Sequence, residues 1–488
     1  MTLKQIASLG KELTRFLAFF ARRFRSRPGL ALLLVYVQGL LSNLQRKNVE
    51  AIALEFDKPP RTLQRFVESI KWAEAGVRDD CQQIVAREHA HPQAIGCLDE
   101  SGTAKSGDQT AGAARQWLGS RGKVDNGVVG VHLSYCAPGF PCLLDSEVYL
   151  PQEWADDPVR RKKNYIPDEV VFRTKPQIAL ALVDRALRHG VRVQAWTFDE
   201  GYGRDTALLD GLEQRGQVFV AEVPTDFHGW MKKPRVLRRG RLQRRGRKKR
   251  YPRLAARDRR SCEVQNLVRY SPVFRKQQWQ RYRIKDSEHG PEVWEVKWAK
   301  FWRKGVNGLP GRRHCLIVAR NVLTQEVKYF VANRVPGERG ISLRRLLRIA
   351  FGRWSVESCF RQAKQELGLD HYEVRGWRCL HRHFYLTQLT QLFCARIRQK
   401  FDEATPHEDP LEHLTTEQVR RAMNTWLETA QGRLTKRARF ERELAKQQYY
   451  QSRNAQARRS HTKTRKAELR SLGIDADRIK SCIPQPLT

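Results

Sequence analysis

The chain has 488 residues, which is enough for two to four domains with cores of their own. Lysine and arginine together number 91 and the acids 52, so the formal net charge at pH 7 is +39. Such an excess of positive charge repels itself unless a polyanion is near, and nucleic acid is therefore the expected partner. Charge alone names no activity, because ribosomal and other RNA-binding proteins share it.

We do not expect a membrane protein or a secreted protein. The most apolar run, residues 29–41, is shorter than the ~20 residues of a membrane span. The first residues lack the basic-then-apolar form of a secretion signal. The ten cysteines form no C-x-x-C pair, which favours reduced thiols in a cytoplasm over disulfides or a zinc site.

Residues 1–90 are predicted to form a helical DNA-binding domain. Apolar residues recur at helical spacing over 6–24 and 30–44. Two short helices over 48–67, with Arg61, Gln64 and Arg65 on the outer face of the second, fit a helix-turn-helix. An ordinary helical hairpin packed on a core explains the same pattern equally well.

From residue 94 the pattern changes to strands and helices in turn. The predicted elements are, in order, strands over 94–98, 128–136 and 142–150, a helix over 174–189, a strand over 191–198, a helix over 204–215 and a strand over 217–223. The first of these strands ends at Asp99 and the fourth ends at Asp199. This order predicts a mixed sheet flanked by helices, with both aspartates at carboxyl ends of strands.

A basic segment and a second group of strands come next. The candidate DNA contacts in the basic run at 232–253 are Arg244, Arg245, Arg247, Lys248 and Lys249. A solvated loop is the simpler interpretation of this run. Strands are predicted over 293–302, 314–321 and 326–332, and the first carries three tryptophans on one face. Core packing is a more common use of such a face than base stacking.

The last part of the chain is predicted to be helical. Helical spacing resumes at Ser342 and continues through 352–367 to residue 399. The remainder is polar and basic, and 436–470 has few apolar anchors. We expect a solvent-exposed helical tail there that is able to fold on DNA.

Three acids are candidates for catalysis: Asp99, Asp199 and Glu357. An aspartate at the end of a buried strand is costly unless it is paired or bound to metal, and glycines near both leave room for a ligand. Two Mg²⁺ ions held by carboxylates can stabilise the attacking and leaving oxygens of a phosphodiester. A capping or ion-pairing role explains each acid alone more simply. The alternative ligands are Glu100, Glu200 and Asp205.

A motif around Glu357 has the spacing of a known family. Arg353, three residues, Glu357, six residues and Lys364 match the R, E and K of the signature Y-(2)-R-(3)-E-(6)-K, while Ala350 stands at the tyrosine position. Here the chain resembles the DDE transposases of bacterial insertion sequences. The segments 98–102, 119–123 and 366–375 are also similar, and the resemblance covers roughly residues 30–395.

The resemblance implies a fold and a metal site. The implied domains are an N-terminal helical domain at 1–90, an RNase H-like α/β core in two parts at 91–223 and 336–400, a β-rich insertion domain at 224–335 between them, and a basic helical region at 401–488. Asp99, Asp199 and Glu357 would bind two Mg²⁺ ions, with Mn²⁺ as a substitute.

The resemblance also implies contacts with DNA. Arg353 and Lys364 would bind phosphates near the cleaved end, and their spacing places both on one helix face with Glu357. An ordinary helix with ion pairs on its surface shows the same arrangement of basic and acidic residues along one face. Trp354 could stack on a flipped terminal base, although burial in a core is the more common role.

By this resemblance, the chain would bind double-stranded DNA, both the ends of the element and the target. It would also bind a second copy of itself in the DNA complex. No membrane contact is expected, and the implied location is the bacterial cytoplasm, at the nucleoid.

Two alternative functions remain. A noncatalytic nucleic-acid-binding protein, such as a domesticated transposase, would not need the three acids. A related nuclease without strand transfer would not need the long basic insertion.

Overall fold

The computed structural model describes residues 1–237, 251–255, 260–287, 290–338, 340–404, 414–430 and 436–482. It divides into two compact units. The first comprises Met1–Gln194 and Trp354–Asn454, and the second comprises Ala195–Arg353 and Ala455–Thr488. The chain therefore leaves the first unit, returns to it, and ends in the second.

Five helices open the first unit. They are α1 (Leu3–Ala18), α2 (Arg27–Leu41), α3 (Val49–Glu55), α4 (Pro60–Glu68) and α5 (Glu74–Glu88). A capping box between Thr2 and Gln5 begins α1. Gly39 lets α2 approach α3 closely, because a Cβ there would lie 2.3 Å from Ile52. The two short helices predicted over 48–67 are confirmed as α3 and α4.

An antiparallel sheet follows. Its strands are β1 (Ile95–Ala104), β2 (Ala114–Leu118), β3 (Lys123–Ala137) and β4 (Phe140–Val148). β3 pairs with β1 along one edge, and with β2 and β4 along the other. Three helices come next: α6 (Gln152–Ala155), α7 (Pro158–Lys163) and α8 (Lys175–Arg188). α8 confirms the predicted helix over 174–189, and it packs on β3 and β4.

β1 is longer than the strand predicted over 94–98. It continues through Asp99 to Ala104, because β3 supplies pairing partners as far as Gly127. The expectation that Asp99 ends its strand was therefore wrong. Apolar patterning missed the extension because the residues after Asp99 are mostly polar or small.

The second unit begins with a parallel pair of strands. Its first elements are β5 (Ala195–Phe198), α9 (Glu200–Gly203), α10 (Thr206–Gln214) and β6 (Phe219–Val223). β5 and β6 run parallel, as a strand–helix–strand connection requires. β5 begins four residues later than the strand predicted over 191–198, and Asp199 follows it directly.

The strands that follow β6 extend this sheet. The further elements are β7 (His228–Trp230), β8 (Val236–Leu237), β9 (Arg253–Leu254), β10 (Cys262–Glu263), α11 (Val264–Tyr270), α12 (Pro272–Arg275), β11 (Gln280–Ser287), β12 (Gly290–Lys304), β13 (Pro310–Asn321), β14 (Val327–Ala332) and α13 (Leu343–Gly352). The strand order is β10-β7-β12-β13-β14-β6-β5, with β11 also paired to β12. Trp294 of β12 is buried, which confirms core packing for that residue.

Four helices and a short strand end the described chain. They are α14 (Trp354–Gln365), α15 (Trp377–Ala404), α16 (Thr416–Ala430), α17 (Lys436–Ser471) and β15 (Lys480–Ser481). α15 is buried along most of its length and contacts α2, α4, α5 and β4. α17 confirms the helix predicted over 436–470.

The C-terminal region is less exposed than its composition suggests. α16 buries Val419, Met423 and Leu427 and packs on α1, α2 and α15. At the end of α17, Leu469 is buried in an apolar cluster with Val293 and Ile474. The described helices after residue 414 therefore contribute to cores, which their polar and basic composition concealed.

The architecture is α/β, with a mixed sheet flanked by helices, as predicted from the order of elements. All ten cysteines are free thiols, and nine of them are buried. None of the helices within the described ranges combines the length and the apolar composition that crossing a membrane would require.

Candidate active site

Asp99 lies within β1 of the first unit, directly opposite His132 of β3. Its side chain is half-buried. Oδ1 accepts a hydrogen bond from the main-chain N–H of Glu100, with a nitrogen–oxygen distance of 2.7 Å. This bond helps to fix the orientation of the carboxylate on the strand.

His132 is fully buried beside Asp99. Its Nδ1 is 2.7 Å from the hydroxyl of Ser146, and its ring centroid is 5.1 Å from that of Phe360 on α14. Burial, and then the nearby charge of Lys364, lower the pKa of His132 to about 3. The imidazole next to Asp99 is therefore neutral at physiological pH.

The helix that carries Glu357 packs over this sheet. α14 contacts β1, β3 and β4. Phe360 and Lys364 approach His132, and the helical spacing places position 357 on the same face as both. The side chain of Glu357 lies outside the described part of the structure. The first unit thus brings the elements that carry Asp99 and Glu357 into contact.

Asp199 belongs to the second unit, where it caps a short helix. Its Oδ1 accepts a hydrogen bond from the N–H of Tyr202 at 3.2 Å, so it is the N-cap of α9. The capping role considered for this acid is therefore present. A carboxylate in this role has a fixed orientation just beyond the carboxyl end of β5.

Two of the three glycines near the aspartates have packing roles. A Cβ at Gly102 would lie 2.7 Å from Leu118, and one at Gly203 would lie 1.8 Å from the main-chain oxygen of Glu222. Close contacts within the protein therefore account for both glycines. Room for a ligand is not needed to explain them.

The alternative acids have different surroundings. Glu100 forms an ion pair with Lys175 at 2.8 Å. Asp205 is the N-cap of α10 and accepts from the N–H of Leu208 at 2.8 Å. Glu200 is exposed on α9. Glu100 and Asp205 thus have structural roles of their own.

Arg353 lies between two helices. It is the C-cap of α13 and directly precedes α14, so the helical run predicted from Ser342 through 352–367 is interrupted at Arg353. Its Nε is 3.8 Å from a carboxylate oxygen of Glu222, whose other oxygen is 2.9 Å from Nζ of Lys328. Neighbouring Trp354 begins α14, and its side chain lies outside the described part, so base stacking there stays a prediction.

Glu222 is an acid near Asp199 that the sequence analysis did not single out. Phe198 of β5 pairs with Ala221 of β6, so the next residues, Asp199 and Glu222, lie side by side at the ends of parallel strands. The sequence offered one signal for Glu222, which is that it is the single acid within the apolar run 217–223. Its ion-pair partners lie far along the chain, and no local pattern reveals them.

The other predicted DNA contacts lie on α4 and in the basic segment. Arg61 and Arg65 are exposed on α4, and Arg61 pairs with Glu68 at 3.2 Å. β8 and β9 pair on either side of the basic segment. The predicted contacts that lie outside the described residues are Arg244, Arg245, Arg247, Lys248 and Lys249.

Carboxylate oxygens are the ligands that Mg²⁺ prefers, so the donor atoms of the three acids suit that ion. Among the side chains that the structure describes, no group of three His, Cys, Asp or Glu residues is placed to hold a metal. The side chain of Glu357 is not in that set. Metal binding by the three acids therefore stays a prediction.

Comparisons with known proteins identify a family. A family model described as DDE superfamily endonuclease matches residues 15–291. A probable transposase for insertion sequence element IS701 of Microchaete diplosiphon is 30% identical over 182 residues, which are 36% of this chain and 44% of that relative. The chain thus matches less than half of that relative's length.

A solved structure of the piggyBac transposase synaptic complex with hairpin DNA aligns with 100% of this chain and 86% of its own, at 8% identity. Its TM-score of 0.35 is too low to support an argument about this chain. The family model, in contrast, covers more than half of the 488 residues and includes both aspartates. The chain therefore belongs to the DDE superfamily endonucleases.

Proposed function

We propose that this chain is a DNA transposase that acts on the ends of its own insertion sequence. It would bind double-stranded ends as a homodimer, hydrolyse a strand at each end, and attack target DNA with the freed 3′-hydroxyl. Hydrolysis consumes one water and leaves a 3′-hydroxyl and a 5′-phosphate. Strand transfer exchanges one phosphodiester for another, so neither step needs a redox partner.

One observation carries the proposal: α14, which bears Glu357, contacts β1, which bears Asp99. The family match includes Asp99 and Asp199 but ends before Glu357. The packing of α14 and the R-(3)-E-(6)-K spacing therefore provide the independent support for the third acid.

The acids and the cations would have separate tasks. Asp99, Asp199 and Glu357 would hold two Mg²⁺ ions, or Mn²⁺ in their place, and bound metal would stabilise charge on the attacking and leaving oxygens. Arg353 would exchange its ion pair with Glu222 for a DNA phosphate, and Lys364 would bind a second phosphate. Both contacts would align the scissile bond.

The test is cleavage of a duplex that carries the element's ends, in Mg²⁺ or Mn²⁺. Asp99→Asn, Asp199→Asn and Glu357→Gln should each lower the cleavage rate by two or more orders of magnitude while end binding persists. Glu100→Gln is the matched control: it removes a carboxylate adjacent to Asp99 and should leave the rate within about threefold.

Each other outcome points to a different function. Binding without cleavage by the wild type would favour a noncatalytic nucleic-acid-binding protein, a reading that the net charge of +39 also allows. Cleavage without joining to target DNA would favour a nuclease on the same fold. Normal cleavage by the three variants would remove the metal-site assignment.

A further inference from the structure

Two cations of the second unit share the carboxylate of Glu222 on β6. One of its oxygens accepts a hydrogen bond from Nζ of Lys328 at 2.9 Å, and the other lies 3.8 Å from Nε of Arg353. The side chains of Arg353 and Glu222 are only 18% and 16% exposed. Their ion pair is therefore partly shielded from water, where the attraction is stronger than on an open surface.

The position of Arg353 beside Glu222 is fixed by packing. Phe330 of β14 is the cross-strand partner of Glu222, and its ring centroid lies 5.3 Å from that of Phe351 on α13. The ring of Phe351 also contacts Trp294 of β12, with 4.8 Å between the centroids. These aromatic contacts hold the end of α13, and with it the main chain of Arg353, against the sheet.

The same arrangement brings Arg353 close to Asp199. Asp199 and Glu222 directly follow Phe198 and Ala221, which are paired residues of two parallel strands. Their main chains are therefore about 5 Å apart. A guanidinium that pairs with Glu222 is consequently near Asp199. An arginine recognises a carboxylate and a phosphate through the same kind of oxygen acceptors.

We propose that Glu222 competes with a DNA phosphate for Arg353, and that this competition sets the affinity of the protein for element ends. The inference rests on the proposed function. A phosphate binds the guanidinium by displacing the carboxylate, so the strength of the ion pair is lost from the strength of DNA binding. Lys328 limits this loss, because it still neutralises Glu222 after Arg353 has exchanged partners.

The first test removes the competing charge. Glu222→Gln keeps an oxygen that accepts from Lys328. Binding of a labelled element-end duplex by the full chain is measured by fluorescence anisotropy in EDTA, so that the DNA stays intact. The affinity of Glu222→Gln should exceed that of the wild type about fivefold.

Glu326→Gln is the matched control. Glu326 also pairs with Lys328, at 3.5 Å, but its side chain is 54% exposed. Since an exposed ion pair contributes little, this variant should bind the ends with an affinity within about twofold of the wild type.

A double-mutant cycle shows whether Glu222 acts through Arg353. Arg353→Gln should lower the affinity for the ends. Adding Glu222→Gln to it should then change the affinity by less than about twofold, because the competition has no object. A Glu222 that only stabilised the sheet would lower the melting temperature when replaced and would not raise the affinity.

Lys328→Met provides a test in the opposite direction. Without Lys328, the displaced carboxylate has lost its second cation, so the affinity should fall about fivefold. Beside Glu222→Gln, the same replacement should have an effect within about twofold. A fall of equal size in both backgrounds would show that Lys328 acts on DNA directly, and it would contradict the neutralising role.

An affinity of Glu222→Gln at or below that of the wild type, or a gain that persists beside Arg353→Gln, would overturn the inference. If that happened while the wild type cleaved at the element boundary in Mg²⁺, the transposase proposal would survive without the competition. A gain that depends on Arg353, in a protein that never cleaves, would support the competition and contradict the transposase proposal.

Discussion

His383 is a buried histidine whose two ring nitrogens have different partners. Nε2 lies 3.0 Å from the main-chain oxygen of Gly368, and Nδ1 lies 2.8 Å from the hydroxyl of Tyr36. The carbonyl can only accept, so Nε2 carries the proton and Nδ1 accepts from the tyrosine. This arrangement uses the neutral imidazole. Burial is the main cause that lowers the pKa of His383 to about 4.

The free energy of unfolding should therefore depend on pH through this residue. Because the folded pKa lies below the unfolded value of about 6.5, the contribution is complete above pH 6.5 and is lost as the pH falls through 4. The loss is about 3 kcal/mol for the full shift. His383→Gln, which keeps a donor for Gly368, should reduce the fall in the free energy of unfolding between pH 7 and pH 4 by that amount, measured by chemical denaturation.

His132 also titrates in acid, so the difference between variant and wild type is the informative quantity. His461→Gln is the control, because it removes a histidine that is exposed on α17. An identical pH dependence in wild type and His383→Gln would contradict the assignment of the neutral imidazole.

At the scale of elements, Lys47 connects the ends of two helices within the first unit. Its buried ammonium donates to the main-chain oxygens of Leu40, at 2.5 Å, and Ser42, at 2.8 Å, beside the end of α2. It also donates to the oxygen of Glu366, just beyond α14, at 2.6 Å. One side chain thus satisfies carbonyls that helix ends leave without partners.

Lys47→Met should destabilise the first unit by at least about 2 kcal/mol, because the carbonyls of Leu40 and Glu366 lose this donor. The midpoint of chemical denaturation measures this loss. Cleavage should also weaken, since the position of the helix that carries Glu357 depends on the same contact. Lys58→Met, at an exposed lysine before α4, is the matched control and should change neither quantity. An unchanged midpoint in Lys47→Met would exclude this anchoring role.

Local patterns predicted the helices and most strands, but they missed what depends on distant partners. The place of Asp199 directly after a strand was predicted correctly, because the apolar residues of β5 end just before it. The length of β1 depends on pairing with β3, and the neighbours of Glu222 include Lys328, which is 106 residues away. The apolar stripe of α16 was readable at helical spacing, yet the basic composition around it suggested an exposed tail.

For the whole molecule, the excess of positive charge is the feature that binding experiments can test most directly. Each phosphate that the protein neutralises releases counterions, so the log–log plot of end affinity against salt concentration has a slope of about −0.9 per phosphate. The slope therefore counts the cations that contact DNA. It does so without requiring cleavage.

The basic segment 244–250 carries six cations. If each neutralises one phosphate, replacement of the segment by glycine and serine of equal length should reduce the magnitude of the slope by up to about 5. The change leaves β8 and β9 intact, so the described residues on either side of the segment should keep their fold. Reversing the order of the seven residues keeps their charge and should keep the slope. If the glycine–serine variant binds with the wild-type slope, the segment does not contact DNA, and other cations must account for the affinity.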